Sequence, residues 1–301
     1  MTDMKRKVVK QGHNALTVTL PAKWARRFNL SGGSEVDVLQ KERQLIIAPE
    51  TASAVKKTTL KMSGSAKYAH RYLGVLYRLG YDEVRIEFES PKTVDRLQEE
   101  IEHALGYEML EQGENYCIIK NVASGSKEEF EATLRRIFSI LLTTADNSLE
   151  IIQKNELQRL ENIKQFGKIN NRLTNFCERL LNKEGYKDSE KTTLVYCMIW
   201  ALEQIADEYT NVWGYLLEKS KNKKYRVSKD LINLYSRNNR LLDFYFRLFY
   251  HFDVDGLSRL REQCLDAINE TKKAVEKEGN AAMLSLHNIT EKIYHMTESL
   301  I

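Results

Sequence analysis

The stretch "GHNALTVTLPAKWARRFNL", residues 12–30, carries a short alternating strand into a proline and then into a turn of cations. Leu16, Val18 and Leu20 fall on one face of the strand and Thr17 and Thr19 on the other. Pro21 has no N–H to give a ladder, so it ends the strand. "AKWARRFNL" predicts one or two helical turns, with Trp24 and Phe28 sharing a face and Arg26 and Arg27 pointing elsewhere. Working outward, "RKVVK" at 6–10 reads as a preceding strand, "SGGSE" as a turn, and "VDVL" with "QLIIAP" as a second hairpin around "QKER". Four strands and one helical turn over residues 5–49 enclose too little core to stand alone. Intertwining with a second copy of the chain is the remedy.

The charge of this stretch points to what it touches. The 301-residue chain has a net charge of +4, but Lys5, Arg6, Lys7, Lys10, Lys23, Arg26 and Arg27 face Asp3 alone in residues 1–30. That is a local +6, leaving −2 for the rest of the chain. A local excess on a small module is an electrostatic footprint for a polyanion.

Residues 56–122 have a different rhythm. "KTTLKM" is strand-like, "SAKYAHRYLGVLYRLG" helical up to Gly80, and "EVRIEFE" alternating. "SPKTVDRLQEEIEHALG" predicts a helix with Ser90 as N-cap and Pro91 at the first position, stopping at Gly106. "YEMLEQ" and "NYCIIKNV" form a hairpin through Gly113. The order β-α-β-α-β-β describes a small α+β sandwich with helices on one sheet face.

Residues 126–301 predict almost continuous helix. Ser126, with Glu128 and Glu129, opens one helix to about 155; a second runs to about 183 and a third from 189 to about 219. The basic segment "KSKNKKYRVSK", 219–229, reads as a solvated linker, and helices at about 228–251, 255–278 and 280–301 follow. Each three-helix set is long enough for a bundle core. Sliding "LEQIADEYTNVWGYL", 202–216, onto "LHNITEKIYHMTESL", 286–300, matches Leu202 with Leu286, Ile205 with Ile289 and Leu216 with Leu300. An internal duplication, with repeats at about 126–222 and 228–301, explains the match. Glu203 and Asp207 lie one turn apart on one helix face, as do His287 and Glu291; Asn211 and His295 extend the rows. Such rows hold metal when neighbouring helices add carboxylates, and Asp146, Glu150, Asp266 and Glu270 are available. An imidazole among carboxylates favours iron, manganese or zinc.

Other classes fit poorly. No apolar run approaches the ~18–20 residues of a membrane span, and "MTDMKRKVVK" lacks the apolar core of a signal peptide. Cys117, Cys177, Cys197 and Cys264 show no paired spacing and read as reduced buried thiols of a cytoplasmic protein. "SGGSE" lacks the Lys and helix of a P-loop, and no histidine has a nucleophile at a recognisable spacing, so an enzyme is not expected.

Two resemblances extend this reading. "LEQIAD" with Asn211 resembles the PhoU family, phosphate-uptake regulators built of two three-helix repeats whose acidic rows ligate metal clusters. The resemblance implies Glu203 and Asp207, with His287 and Glu291 in the second repeat, as ligands for a divalent or ferric ion on the bundle. Gln158 stands where the family often carries an acid. The opening stretch resembles the SpoVT/AbrB swapped-hairpin domain through "RKV" at 6–8, Gly12, "LTVTLP" at 16–21 and "GGSEVDV" at 32–38. Asn29 stands where glycine is common, and asparagine tolerates the left-handed conformation. That family interlocks two chains into one β-barrel, with Arg6, Lys7 and Arg26 at positions used against DNA.

The expected architecture is therefore multidomain α+β: a swapped-hairpin, dimeric barrel at 1–50, the α+β sandwich at 56–122, and a PhoU-like all-α bundle at 126–301. The order resembles archaeal PhoU-type regulators with a fused DNA-binding module. It implies a homodimer that binds double-stranded DNA and regulates phosphate uptake or phosphate-related metabolism, with a phosphate transporter component as a further partner and no membrane insertion. The alternative is an adaptor that binds a phosphate transporter or kinase without DNA. An antitoxin is a third reading, weakened by the long folded bundle.

Overall fold

In a computed structural model of the chain, residues 5–41, 44–49, 55–62, 68–90, 92–123 and 126–301 are described. They divide into two compact units, residues 1–55 and residues 56–301.

The first unit consists of two separate hairpins and one short helix. Strands β1 (Val9–Gln11) and β2 (Ala15–Thr17) pair antiparallel around Gly12, whose φ of +70° suits glycine. Helix α1 (Ala22–Arg27) follows, then β3 (Val36–Lys41) paired with β4 (Gln44–Pro49). The expected strands 6–10 and 16–20 are thus cut to three residues each. Residues 18–20 pair with no strand among the described residues, so the second strand ends before Pro21. Pro21 itself is extended and caps α1. Asn29 takes the left-handed conformation at φ +54° and closes α1 in a Schellman turn, with Leu30 N–H donating to the Ala25 carbonyl at 2.9 Å and Asn29 N–H to that of Arg26 at 3.3 Å.

The second unit joins an α+β layer to a helical bundle. Its sheet has the order β5 (Lys57–Met62), β6 (Glu83–Phe88), β8 (Tyr116–Asn121), β7 (Tyr107–Gln112). β5 and β6 run parallel, because α2 (Ala69–Arg78) crosses between them, and the remaining pairs are antiparallel. Helices α2 and α3 (Lys92–Ile101) cover one face. Val84, Ile86, Cys117 and Ile119 point from the sheet into a core with Leu73, Tyr77 and Leu97. The opposite face carries ion pairs such as Lys57–Glu83 and Lys120–Glu83, each 3.1 Å. Helix α3 stops at Ile101 and not at Gly106: His103 and Ala104 bond three residues back, and the Tyr77 hydroxyl takes the Leu105 carbonyl at 2.8 Å. Pro91 lies outside the described residues, so its expected place at the helix start does too.

Ser126 opens α4 (Lys127–Gln153) with a capping box, its hydroxyl accepting from Glu129 N–H while Glu129 accepts from Ser126 N–H at 2.8 Å. The expected second helix is broken in two. Asn155, at φ +54°, ends α4, a 3₁₀ segment covers Leu157–Ile163, and α5 spans Gln165–Glu184. Then come α6 (Thr192–Ser220), α7 (Lys229–Tyr250), α8 (Val254–Glu278) and α9 (Ala281–Met296). Leu202, Ile205 and Leu216 of α6 and Leu286, Ile289 and Leu300 near the carboxyl end are all buried in one core. Cys117, Cys177 and Cys264 are buried, whereas Cys197 of α6 is exposed, against the expectation for all four, because it borders an open cleft. Among the described residues no helix is long and apolar enough to cross a membrane.

The α+β layer and the bundle are fastened together by Arg179 of α5. Its side chain is 3% exposed and donates to the carbonyls of Tyr77 and Tyr81, at 2.9 and 2.7 Å, and to Asp82 Oδ1 at 2.6 Å. Lys183 reaches the same carboxylate at 2.7 Å.

Candidate functional site

The amino-terminal unit presents its cations to solvent. Lys5, Arg6 and Lys7 lie before β1, Lys10 within it, and Lys23, Arg26 and Arg27 along α1; all seven are exposed. Among the described residues none of the seven forms an ion pair. Arg26 donates to the Ala22 carbonyl at 3.3 Å within its own helix, and Arg27 lies over the Phe28 ring, 5.7 Å from its centre. Trp24 and Phe28 pack ring to ring at 5.4 Å, so the predicted shared face of α1 exists.

Many apolar residues of this unit's strands are exposed as well. Leu16 is 72% exposed and Leu45 67%, and Val9, Val18, Val38 and Ile46 are open to solvent, while α1 buries no residue. A strand pair of this size cannot hold itself together with its apolar side chains in water.

The helical rows expected to hold metal are placed differently from one another. Glu203 is half-buried on α6 and faces a cleft of about 680 Å³ between α2 and α3 on one side and α5 and α6 on the other. Burial and the neighbouring Asp207 raise its carboxyl above the ordinary range. Asp207 is exposed and is also raised, by burial of its carboxyl and by Glu208. His287 is engaged within the bundle, its Nδ1 2.9 Å from Thr271 Oγ1 on α8 and its Nε2 3.5 Å from Glu291. Asn211 and His295 are exposed, and Asn211 donates to Glu208 at 3.4 Å.

The further carboxylates are engaged or distant. Asp146 accepts from Asn239 at 2.8 Å, Glu150 pairs with Lys154, and Glu270 pairs with Arg237. Among the described residues no three His, Cys, Asp or Glu side chains gather into a metal-holding group. The described residues therefore do not supply the ligand set that the resemblance implied.

Sequence reasoning missed what does gather around Glu203. Glu178 of α5 is 1% exposed and sits 3.4 Å from Arg78 Nε of α2, and Glu100 of α3 lies against α2 where Gly74 leaves room for it. A Cβ at Gly74 would collide with the Glu100 carboxylate. Burial pushes both Glu100 and Glu178 up to about 7, against the opposing pull of Arg78. These residues come from segments about a hundred positions apart, and no local spacing announces them.

Compared with known proteins, residues 9–54 match the family described as antidote-toxin recognition MazE, bacterial antitoxin. No curated protein matches the chain, and no solved structure does.

Proposed function

We propose that the protein is a dimeric, DNA-binding transcription regulator whose amino-terminal units interlock in pairs and grip duplex DNA. One observation carries the reading: among the described residues of this unit none is fully buried, yet it displays apolar strand faces together with seven exposed cations. Apolar faces of that kind are satisfied by a second copy, and the cations by phosphates. The family match over residues 9–54 supports the assignment, since swapped-hairpin modules of this type pair and bind DNA. Strands and loops presented to DNA contact mainly its backbone, so shape contributes to selectivity beside base edges.

The bundle is then the part that senses or relays a signal. The likeness of "LEQIAD" and Asn211 to the PhoU family makes phosphate uptake, or metabolism linked to it, the regulated process. This reading does not require a metal on the bundle.

The test is a mobility-shift assay on a duplex recovered by genome-wide occupancy in phosphate-rich and phosphate-starved cells. Arg6, Lys7 and Arg26 changed together to Ala should abolish the shift and leave the dimer intact. Enrichment near transport genes supports the phosphate reading. A dimer that retains no duplex at moderate salt would instead be an adaptor to a phosphate transporter or kinase. The family description favours an antitoxin as second reading; release of a small toxin from the purified complex would establish it, but residues 56–301 form a large folded unit and not a short toxin-binding tail.

A further inference from the structure

The cleft between the α+β layer and the bundle holds three carboxylates and several buried acceptor atoms without partners. Glu178, 1% exposed, lines it, and its Oε1 has no hydrogen-bond partner, although the Tyr196 hydroxyl lies close to the carboxylate. His103 Nδ1 and Asn171 Oδ1, on the same walls, are buried and unpartnered too. Burial, and the charges of Lys168 and Arg172, hold His103 below its usual range, so the neutral imidazole can offer Nδ1 as an acceptor. Leaving such atoms unpaired costs about 1–3 kcal/mol each.

The charge count runs the same way. Glu100, Glu178 and Glu203 crowd Arg78, whose guanidinium is already shared between Glu178 and the Asn175 side-chain carbonyl, 3.0 Å away. Arg71 offsets part of the charge on Glu100 but is exposed. On the rim, Trp200 is 55% exposed, a flat aromatic face open to a flat or cationic group. The cleft, at about 680 Å³, has the size of a small-molecule site.

We infer that this cleft binds a small organic cation bearing several N–H donors, an amine or a guanidine, with Glu178 and Glu203 accepting hydrogen bonds from its N–H groups and Trp200 covering it. A metal ion fits less well, because no three ligating side chains converge among the described residues. An anion fits less well because the carboxylates of Glu100, Glu178 and Glu203 line the cleft. The inference is independent of the DNA-binding reading, since every lining residue belongs to residues 56–301.

Calorimetric titration of the full-length protein with agmatine and with spermidine, at pH 7.5, tests it. The expected result is one saturable site per chain for at least one of them, with binding weakened at least tenfold in Glu178→Gln and in Glu203→Gln. Glu270→Gln, far out on the bundle surface, should bind as the unaltered protein does. Should Glu178→Gln not fold, the half-buried Glu203→Gln decides the matter alone. Manganese chloride and inorganic phosphate are titrated in parallel. Binding of either in place of the amines, no amine binding at all, or equal loss in Glu270→Gln would each overturn the proposal.

Discussion

Arg179 Nη2 lies 2.6 Å from Asp82 Oδ1, and this contact ties the helical bundle to the start of β6 in the α+β layer. The guanidinium is almost fully buried and also caps the end of α2 through the Tyr77 and Tyr81 carbonyls. Burial alone would raise Asp82, but hydrogen bonds from Lys183 and the Lys56 backbone, with the charges of Lys183 and Arg179, hold it below its usual value. Removing the arginine takes the buried charged partner from Asp82, which keeps only Lys183 and the Lys56 N–H, and one donor from each of two carbonyls that retain Gly80 N–H and the Tyr107 hydroxyl. Arg179→Ala should cost about 3–5 kcal/mol in urea unfolding. Lys183→Ala, at a more exposed site, should cost about 1 kcal/mol or less. Similar losses for the two variants would show that the joint does not depend on Arg179.

The interlocking of amino-terminal units has its own test, separate from DNA. Leu16 and Leu45 are the most exposed large aliphatic side chains of β2 and β4. A charge at either place opposes burial against a second copy by several kcal/mol. Leu16→Glu with Leu45→Glu should turn the dimer into a monomer in sedimentation equilibrium, with the helical circular dichroism of residues 56–301 kept. A variant that stays dimeric would place the interface elsewhere on the chain.

Much of this architecture was legible in the sequence, for identifiable reasons. The alternation in "EVRIEFE" became β6 with Val84, Ile86 and Phe88 buried, because period two leaves one face for the core. Ser126 with Glu129 announced a helix start and formed the capping box. The end of the first helix near Asn155 was legible, but the division of the next stretch into a 3₁₀ segment at Leu157–Ile163 and α5 from Gln165 was not, since the apolar periodicity runs through both. The strands expected at 6–10 and 16–20 form only at Val9–Gln11 and Ala15–Thr17, because the alternation extends beyond the stretch that the turn at Gly12 brings into register. The acidic row at Glu203 was legible as a row but not as a cleft. Its neighbours Glu100 and Glu178 arrive from other elements, and tertiary packing alone brings them together.

DNA binding through exposed cations carries a salt signature. Each phosphate neutralised contributes a slope of about −0.9 to the logarithm of affinity against the logarithm of salt concentration. Changing Arg6, Lys7 and Arg26 to Ala in both chains removes up to about six such contacts, so affinity at low salt should collapse and the slope of any residual binding should flatten by several units. Changing Arg6 alone should lower the slope by about two per dimer, measured by fluorescence anisotropy across a salt series. An unchanged slope would move the DNA contact away from this residue.

Stability of the helical unit should fall as pH rises from acid to neutral. Burial lifts Glu178 and Glu100 from the ordinary 4.5 to about 7, so between these values the native state holds protons that the unfolded chain has released. The native state binds more protons there, and stability therefore declines as pH climbs through that window. Below about pH 4.5 both states are protonated and the penalty vanishes; above about 7 it is felt in full. Asp82 acts oppositely, since its value is lowered: its contribution is present above the ordinary 3.8 and lost as pH falls below it, outside this window. Melting temperatures between pH 5 and 8 should decline in the unaltered protein. Glu178→Gln should melt on a flatter profile, gaining on the order of 1–3 kcal/mol relative to the unaltered protein at pH 8. Parallel profiles for the two proteins would mean that Glu178 is ionised in the native state throughout, with Arg78 and the cleft neutralising it more completely than their geometry implies.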